Sequence, residues 1–301
     1  MFKFVLFSVL SSFLLSGGGA AGCRAKSNTN SQSEKASQSP VETQTPTTNH
    51  LKVLAQGYHS SINEPFIAVI RDAETYDALT KLEGNLPKLD ARFFDSNAVV
   101  AAFLGQRNTG GYAVEIRREG KGGVRLIEKK PGKGMMVPQM ITSPFKIVSF
   151  SIGATSPIVA VGESWEPRNQ AFHVDNGKFV MSGGISGRSE EYGLEGTVNV
   201  MKVDGLATFS FILKNAGETN EHLLFEVATG IVDSNGAITI RKVSALTLVS
   251  EPNAGLQAKG RFVAHETRLT LEFESLPSMI ADGYTGSGKI EASIISSASK
   301  P

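Results

Sequence analysis

The sequence predicts a mainly β protein in two parts. The first is a β-rich domain, immunoglobulin-like or sandwich in type, with one short helix. The second is an antiparallel β-barrel or sandwich. Three observations carry this expectation. Apolar, strand-like runs recur through residues 179–295, divided by the turn signals Asp204-Gly205, Asn215-Ala216-Gly217, Asp233-Ser234-Asn235-Gly236, Asn253-Ala254-Gly255 and Asp282-Gly283. Residues 267–274 alternate strictly, with Leu269, Leu271 and Phe273 set against Arg268, Thr270, Glu272 and Glu274, as in a strand with one dry and one wet face. Thirty-one glycines and a single tryptophan suit a turn-rich β composition.

Taken in order, residues 1–22 read as a targeting segment. Lys3 supplies a basic start, residues 4–15 are an apolar run too short to span a bilayer as a helix, and residues 17–22 are small, as a processing site requires. Cys23 is the only cysteine and follows Ala20-Ala21-Gly22. That placement resembles a bacterial lipobox, although alanine stands at position 20 where leucine is more usual. The resemblance implies lipidation of Cys23 and a membrane anchor; the alternative is a secretory signal with an incidental cysteine. Gly17, Gly19 and Gly22 fit a phosphate-loop spacing, but no strand precedes them and no helix follows, so the match is set aside.

Residues 24–50 are rich in Ser, Thr, Asn and Gln, with Pro40 and Pro46 and almost no large apolar residue. Such a stretch cannot bury enough surface to offset its ordering entropy, and reads as a tether. Its 27 residues give a typical reach on the order of 30 Å. Arg24 is not an aspartate, so in a Gram-negative cell the expected location is the outer membrane. The expected location overall is the cell envelope.

Residues 51–152 make the expected first domain. Strands are predicted at 51–56, 66–71, 97–103, 113–117, 124–130, 136–140 and 145–152. A helix is predicted over 73–82: Asp72 suits its N-cap, Tyr76, Leu79 and Leu82 form one stripe, and Gly84-Asn85 stop it. Met135-Met136 are either an exposed contact pair or core fillers. Residues 153–170, with Gly153, Pro157, Gly162 and Pro167, read as a linker in which Trp165 docks onto one domain or opens the next. Residues 171–301 make the second domain, with strands at 179–185, 194–203, 207–214, 223–232, 237–248, 256–265, 268–274 and 288–295. About eight strands suit a closed barrel, either filled by side chains or holding a small apolar ligand.

The loop Leu104-Gly105-Gln106-Arg107-Asn108-Thr109-Gly110-Gly111-Tyr112 separates a nearly all-apolar strand from an alternating one. Its glycines either only make a turn, or the loop presents Arg107 and Tyr112, residue types that dominate binding hot spots, to a partner. The stretch 104–112 resembles the signature of the PrcB C-terminal domain family, which belongs to a lipoprotein subunit of a bacterial surface protease complex. The likeness runs over residues 60–150. It includes Val69-Ile70-Arg71-Asp72-Ala73-Glu74-Thr75-Tyr76, residues 93–103, Pro131-Gly132-Lys133-Gly134 and Thr142-Ser143-Pro144-Phe145. Phe145 stands where the family pattern leads one to expect tyrosine. The resemblance implies a non-catalytic partner site at Arg107, Asn108, Thr109, Gly110, Gly111, Tyr112, Pro144 and Phe145. The implied partner is a surface protease or another envelope protein. A weaker likeness joins residues 108–112, Gly132-Lys133-Gly134 and Pro144-Phe145 to the three loops of chagasin-like protease inhibitors, although the proline of the first motif and the arginine of the third are missing.

Other chemistry is sparse. A net charge of +1 argues against nucleic acid as a partner, since phosphate binding needs clustered excess Lys and Arg. The histidines at 50, 59, 173, 222 and 265 show no metal-ligand spacing, and no Gly-x-Ser-x-Gly elbow occurs. No enzyme activity and no cofactor are therefore expected.

Overall fold

The computed structural model describes residues 51–119, 123–151, 159–163, 169–183, 188–217, 227–244, 255–276 and 285–295. The expected signal segment, Cys23, the tether, Trp165 and the Asp282-Gly283 turn lie outside them. Residues His50–Pro301 pack as one compact unit.

The chain begins with β1 (Lys52–Gly57) and β2 (Phe66–Ile70), followed by α1 (Ala73–Glu83) and a 3-10 turn (Ala91–Asp95). Then come β3 (Asn97–Phe103), β4 (Ala113–Glu119), β5 (Gly123–Lys129), β6 (Phe145–Ser151) and β7 (Val159–Glu163). β1, β6, β3 and β2 form one antiparallel sheet in that order, and β4, β5 and β7 a second. Val114 and Ile116 of β4 and Val124 and Leu126 of β5 share a core with β2, β3 and β6, so the two sheets bury a common interior. β3 is buried along almost its whole length, as its uninterrupted apolar run predicts.

Asp72 caps α1 by accepting from Thr75 N–H and Thr75 Oγ1, each at 2.8 Å. Gly84, at φ 64°, ends the helix by donating to Thr80 O. Tyr76 and Leu79 are fully buried, whereas Leu82 only flanks the core.

Two stretches before residue 170 differ from expectation, and beyond it strand structure begins at Gln170, nine residues before the expected strand. Residues 136–140 form no strand. Pro138 has no N–H to give a ladder, and its carbonyl is taken by Gly110 N–H instead. Residues 159–163, expected within a linker, form β7, which pairs parallel with β5; the surrounding Gly and Pro signals mask its short Val-Ala-Val run.

The remaining strands are β8 (Gln170–Gly183), β9 (Arg188–Val203), β10 (Leu206–Asn215), β11 (Ala228–Val232), β12 (Ala237–Ser244), β13 (Gly255–Val263), β14 (Arg268–Ser275) and β15 (Thr285–Ile294). They close into an antiparallel barrel in the order β10-β11-β12-β13-β14-β15-β8-β9. Its rings meet across the lumen. Phe211 of β10 lies 5.9 Å from Phe273 of β14, four strands away around the barrel, and Phe209 lies 6.4 Å from Phe262 of β13. Phe172 of β8 lies 6.1 Å from Phe262. The chain's own aromatic side chains thus pack across the barrel interior, one of the two fillings an eight-stranded barrel allows.

β14 alternates buried and exposed, whereas the first six residues of β10 are all buried. The cause is β2, an edge strand of its sheet. Val69 N–H donates to Thr229 Oγ1 at 2.7 Å, and Thr208 Oγ1 donates to Ile67 O at 2.6 Å. The two hydroxyls lie 2.8 Å apart. Threonines on the outer wall of the barrel thus complete the unpaired edge of β2, while Met201 and Leu206 join the core of the sheets. An ion pair between Glu74 and Arg241 lies on the same side.

Candidate functional site

β3 delivers the chain into the Gly-rich loop at Leu104, whose N–H donates to Pro144 O at 2.9 Å. Gly105 follows at φ 72°. A Cβ there would sit 2.7 Å from Pro65 N and 2.8 Å from Asn63 O, so only glycine fits. Gln106 N–H donates to Asn63 O at 2.9 Å. Arg107 and Thr142 then exchange two backbone hydrogen bonds, of 2.7 and 2.9 Å. Thr142 Oγ1 donates to Thr109 O at 3.1 Å, and Gly110 N–H to Pro138 O at 2.9 Å. The loop is therefore held along most of its length to the segment that leads into β6.

Arg107 points into this framework. Its Nε donates to Glu128 Oε1 at 3.0 Å, and Nη2 lies 2.9 Å from the same oxygen. Nη1 donates to Leu104 O at 2.8 Å and to Gln106 O at 3.0 Å. The guanidinium lies 5.6 Å from the Tyr112 ring centre, within cation–π range. The Glu128 side chain is only 4% exposed and that of Arg107 is 20% exposed. One arginine thus ties the loop backbone, its closing tyrosine and β5 together, a fixed planar donor set that lysine could not reproduce.

The predicted residues divide accordingly. Pro144 and Gly110 are buried, and Thr109 is half-buried. Phe145 turns inward: its ring stacks on Phe103 at 5.8 Å and fills the space beside Gly57, where a Cβ would meet it at 2.8 Å. Tyr112 is half-buried against the core. Asn108 and Gly111 face solvent. The structure brings residues 108–112 beside the 131–138 segment, but it buries Pro144, which leaves the third loop of the inhibitor-like pattern unpresented.

Sequence reasoning left the exposed residues around the loop unassigned. Met140 is 46% exposed, Ile141 63% and Tyr58 58%. Tyr58 O accepts from Ser143 N–H at 2.7 Å, which places this tyrosine beside the Arg107–Thr142 bridge. Single exposed apolar residues are ordinary, but adjacent ones on a pinned frame are the pattern of a contact surface. The available signal was the placement of Met140-Ile141 directly before the Thr-Ser-Pro turn. Cys23 lies outside the described residues. Among the described residues no group of three His, Cys, Asp or Glu side chains could hold a metal ion.

No curated protein matches the chain. Among solved structures, a mutant of the vaccine antigen transferrin binding protein B from Haemophilus parasuis is similar at 9% identity. That likeness covers 65% of this chain and 36% of that one, with a TM-score of 0.31, too low to bear on function. The match that falls on the site is to a protein family. Residues 98–151, from β3 through the loop to the end of β6, match the PrcB C-terminal family.

Proposed function

We propose that this chain is a non-catalytic, lipid-anchored protein of the bacterial cell envelope that binds a surface protease as subunit, assembly partner or regulator. The proposed anchor is Cys23. The proposed contact is the face formed by Asn108, Gly111 and the rim of Tyr112 together with Tyr58, Met140 and Ile141. One observation carries the reading: exposed apolar side chains sit beside a loop whose backbone is hydrogen-bonded into place. A pinned loop loses little entropy on binding. The family match over residues 98–151 supports a protease as the partner. In this reading Arg107, Gly110, Pro144 and Phe145 build the site from beneath. The carrier reading of the barrel has less support, because aromatic rings meet across its lumen.

The test is cross-linked capture from native membranes with the intact chain as bait, beside baits carrying Ile141→Glu or Tyr58→Ala. The expected result is a protease captured by the unaltered bait and lost from the Ile141→Glu bait. Equal capture by all baits would move the interface elsewhere, and capture of no protease would confine the family likeness to fold.

A further inference from the structure

Between Pro131 and Val137 the chain makes a short excursion, Gly132-Lys133-Gly134-Met135-Met136. Its base is clamped on Gly111, where a Cβ would meet Pro131 Cβ at 2.9 Å and Val137 Cγ1 at 3.0 Å. Its turn is closed by Met135 N–H donating to Gly132 O at 3.1 Å. Gly134, at φ 81°, has nothing within 4 Å of where its Cβ would lie. The excursion is therefore a protruding tip on a fixed base. At its end Met136 is 101% exposed and Met135 66%.

The charge around the tip is predominantly positive. Lys129, Lys130 and Lys133 are all exposed. No aspartate or glutamate occurs from residue 129 to residue 162. The carboxylates that reach this stretch are outnumbered: Glu128 is shared by Arg107 and, at 3.7 Å, Lys130, and Glu115 by Lys129 and Arg117, which leaves a net positive charge with Lys133 at the tip.

We propose that the 131–137 tip is a membrane-contact element, which places Met135 and Met136 among the headgroups of an anionic bilayer with Lys130 and Lys133 at the level of the phosphates. Two arguments favour a lipid surface over a protein. The tip is convex and has no walls of its own, so it suits a yielding medium rather than a preformed pocket. Its net positive charge complements anionic lipid, towards which each lysine contributes about a fivefold gain in affinity. The inference rests on the anchored reading in one respect. A lipid anchor at Cys23 would hold the tip near a bilayer at high effective concentration.

The experiment sediments the compact unit His50–Pro301, which contains both hydrophobic cores and lacks Cys23, with vesicles. One set is phosphatidylglycerol with phosphatidylcholine; the other is phosphatidylcholine alone. Binding is expected to the anionic vesicles only, and to weaken as salt is added. Lys130→Gln or Lys133→Gln should each reduce it about fivefold, and the pair about 25-fold. Met135→Ser/Met136→Ser should abolish it with the melting temperature nearly unchanged, since Met136 lies in solvent and Met135 is two-thirds exposed and lies over Gly132 of the same turn. Failure to bind anionic vesicles would overturn the proposal, as would binding indifferent to both paired variants. Loss of protease capture in the methionine variant, with vesicle binding intact, would also overturn it and make the tip a protein interface. Because the assay contains neither protease nor lipid anchor, its failure would leave the protease-binding reading untouched. That reading fails separately, in the capture experiment.

Discussion

At the scale of single residues, Arg107 decides how the loop should be understood. Arg and Tyr in a Gly-rich loop read naturally as a presented pair, yet the guanidinium spends its donors on Glu128 and on two carbonyls of its own loop. Removing one partner of a buried ion pair leaves the other charge uncompensated, at a cost of roughly 3–5 kcal/mol. Lys130, 3.7 Å from Glu128 Oε2, still offsets part of that charge, so Arg107→Ala should destabilise the fold by no more than about that much in urea unfolding. Glu128→Leu in the same chain should restore part of the loss. A stability unchanged by Arg107→Ala, together with lost partner capture, would return Arg107 to the role of a direct contact. Glu83 gives a second prediction. Burial raises its pKa above the ordinary carboxylate value, against the lowering effect of hydrogen bonds from Ser60 Oγ and Ser61 N–H. A carboxyl that holds its proton more tightly when folded makes stability fall as pH rises from the ordinary value through the raised one. Asp72 is raised for the same leading reason. Glu83→Gln should flatten part of that fall in chemical denaturation followed across the pH window above the ordinary carboxylate value. An identical slope in the variant would show that Glu83 does not titrate in this window.

At the scale of elements, the instructive pair is β2 and β10. β2 is an edge strand whose unpaired Val69 N–H and Ile67 O are completed by Thr229 and Thr208. Replacing both threonines by valine keeps their shape and removes those partners, and each buried unsatisfied group costs about 1–3 kcal/mol. The double variant should lose stability, and the Val69 amide should exchange with solvent far faster than the neighbouring β3 amides. Unchanged exchange at Val69 would mean that the hydroxyls do not hold the edge. Local pattern made β14, α1 and the hairpin between β9 and β10 legible, because alternation, an Asp cap and an Asp-Gly turn each act within a few residues. The burial of Thr208 and Ser210 was not legible, since a strand with an apolar inner face and Thr or Ser outside reads as solvated until another element covers it. The same limit applies to the site. The Gly105 turn could be read from glycine alone, but the inward path of Arg107 depends on Glu128, 21 residues away. The exposure of Met135 and Met136 ran against the usual packing role of methionine.

At the scale of the whole molecule, the barrel and the sheets act as one unit. The barrel wall supplies Thr208 and Thr229 to the edge of β2, and it buries Met201 and Leu206 in the core that also holds Phe66 and Ile70. A chain cut after residue 163 would keep all seven strands of the two sheets while uncovering β2, whose five residues are Phe-Ile-Ala-Val-Ile and are buried throughout. An apolar, uncapped edge of that kind is a template for pairing with a second copy. Residues 51–163 alone should therefore self-associate, visible as concentration-dependent mass in light scattering. Lys or Glu at Ala68, a small residue of β2, should not rescue it, because that position is fully buried in the sheet core. Restoring residues 164–301 should return a single monomeric species. If the fragment stays monomeric and melts cooperatively, the sheets are a self-sufficient domain and the threonine contacts merely orient the barrel. If it associates, the barrel's structural task is to close the edge of the domain that carries the PrcB C-terminal match.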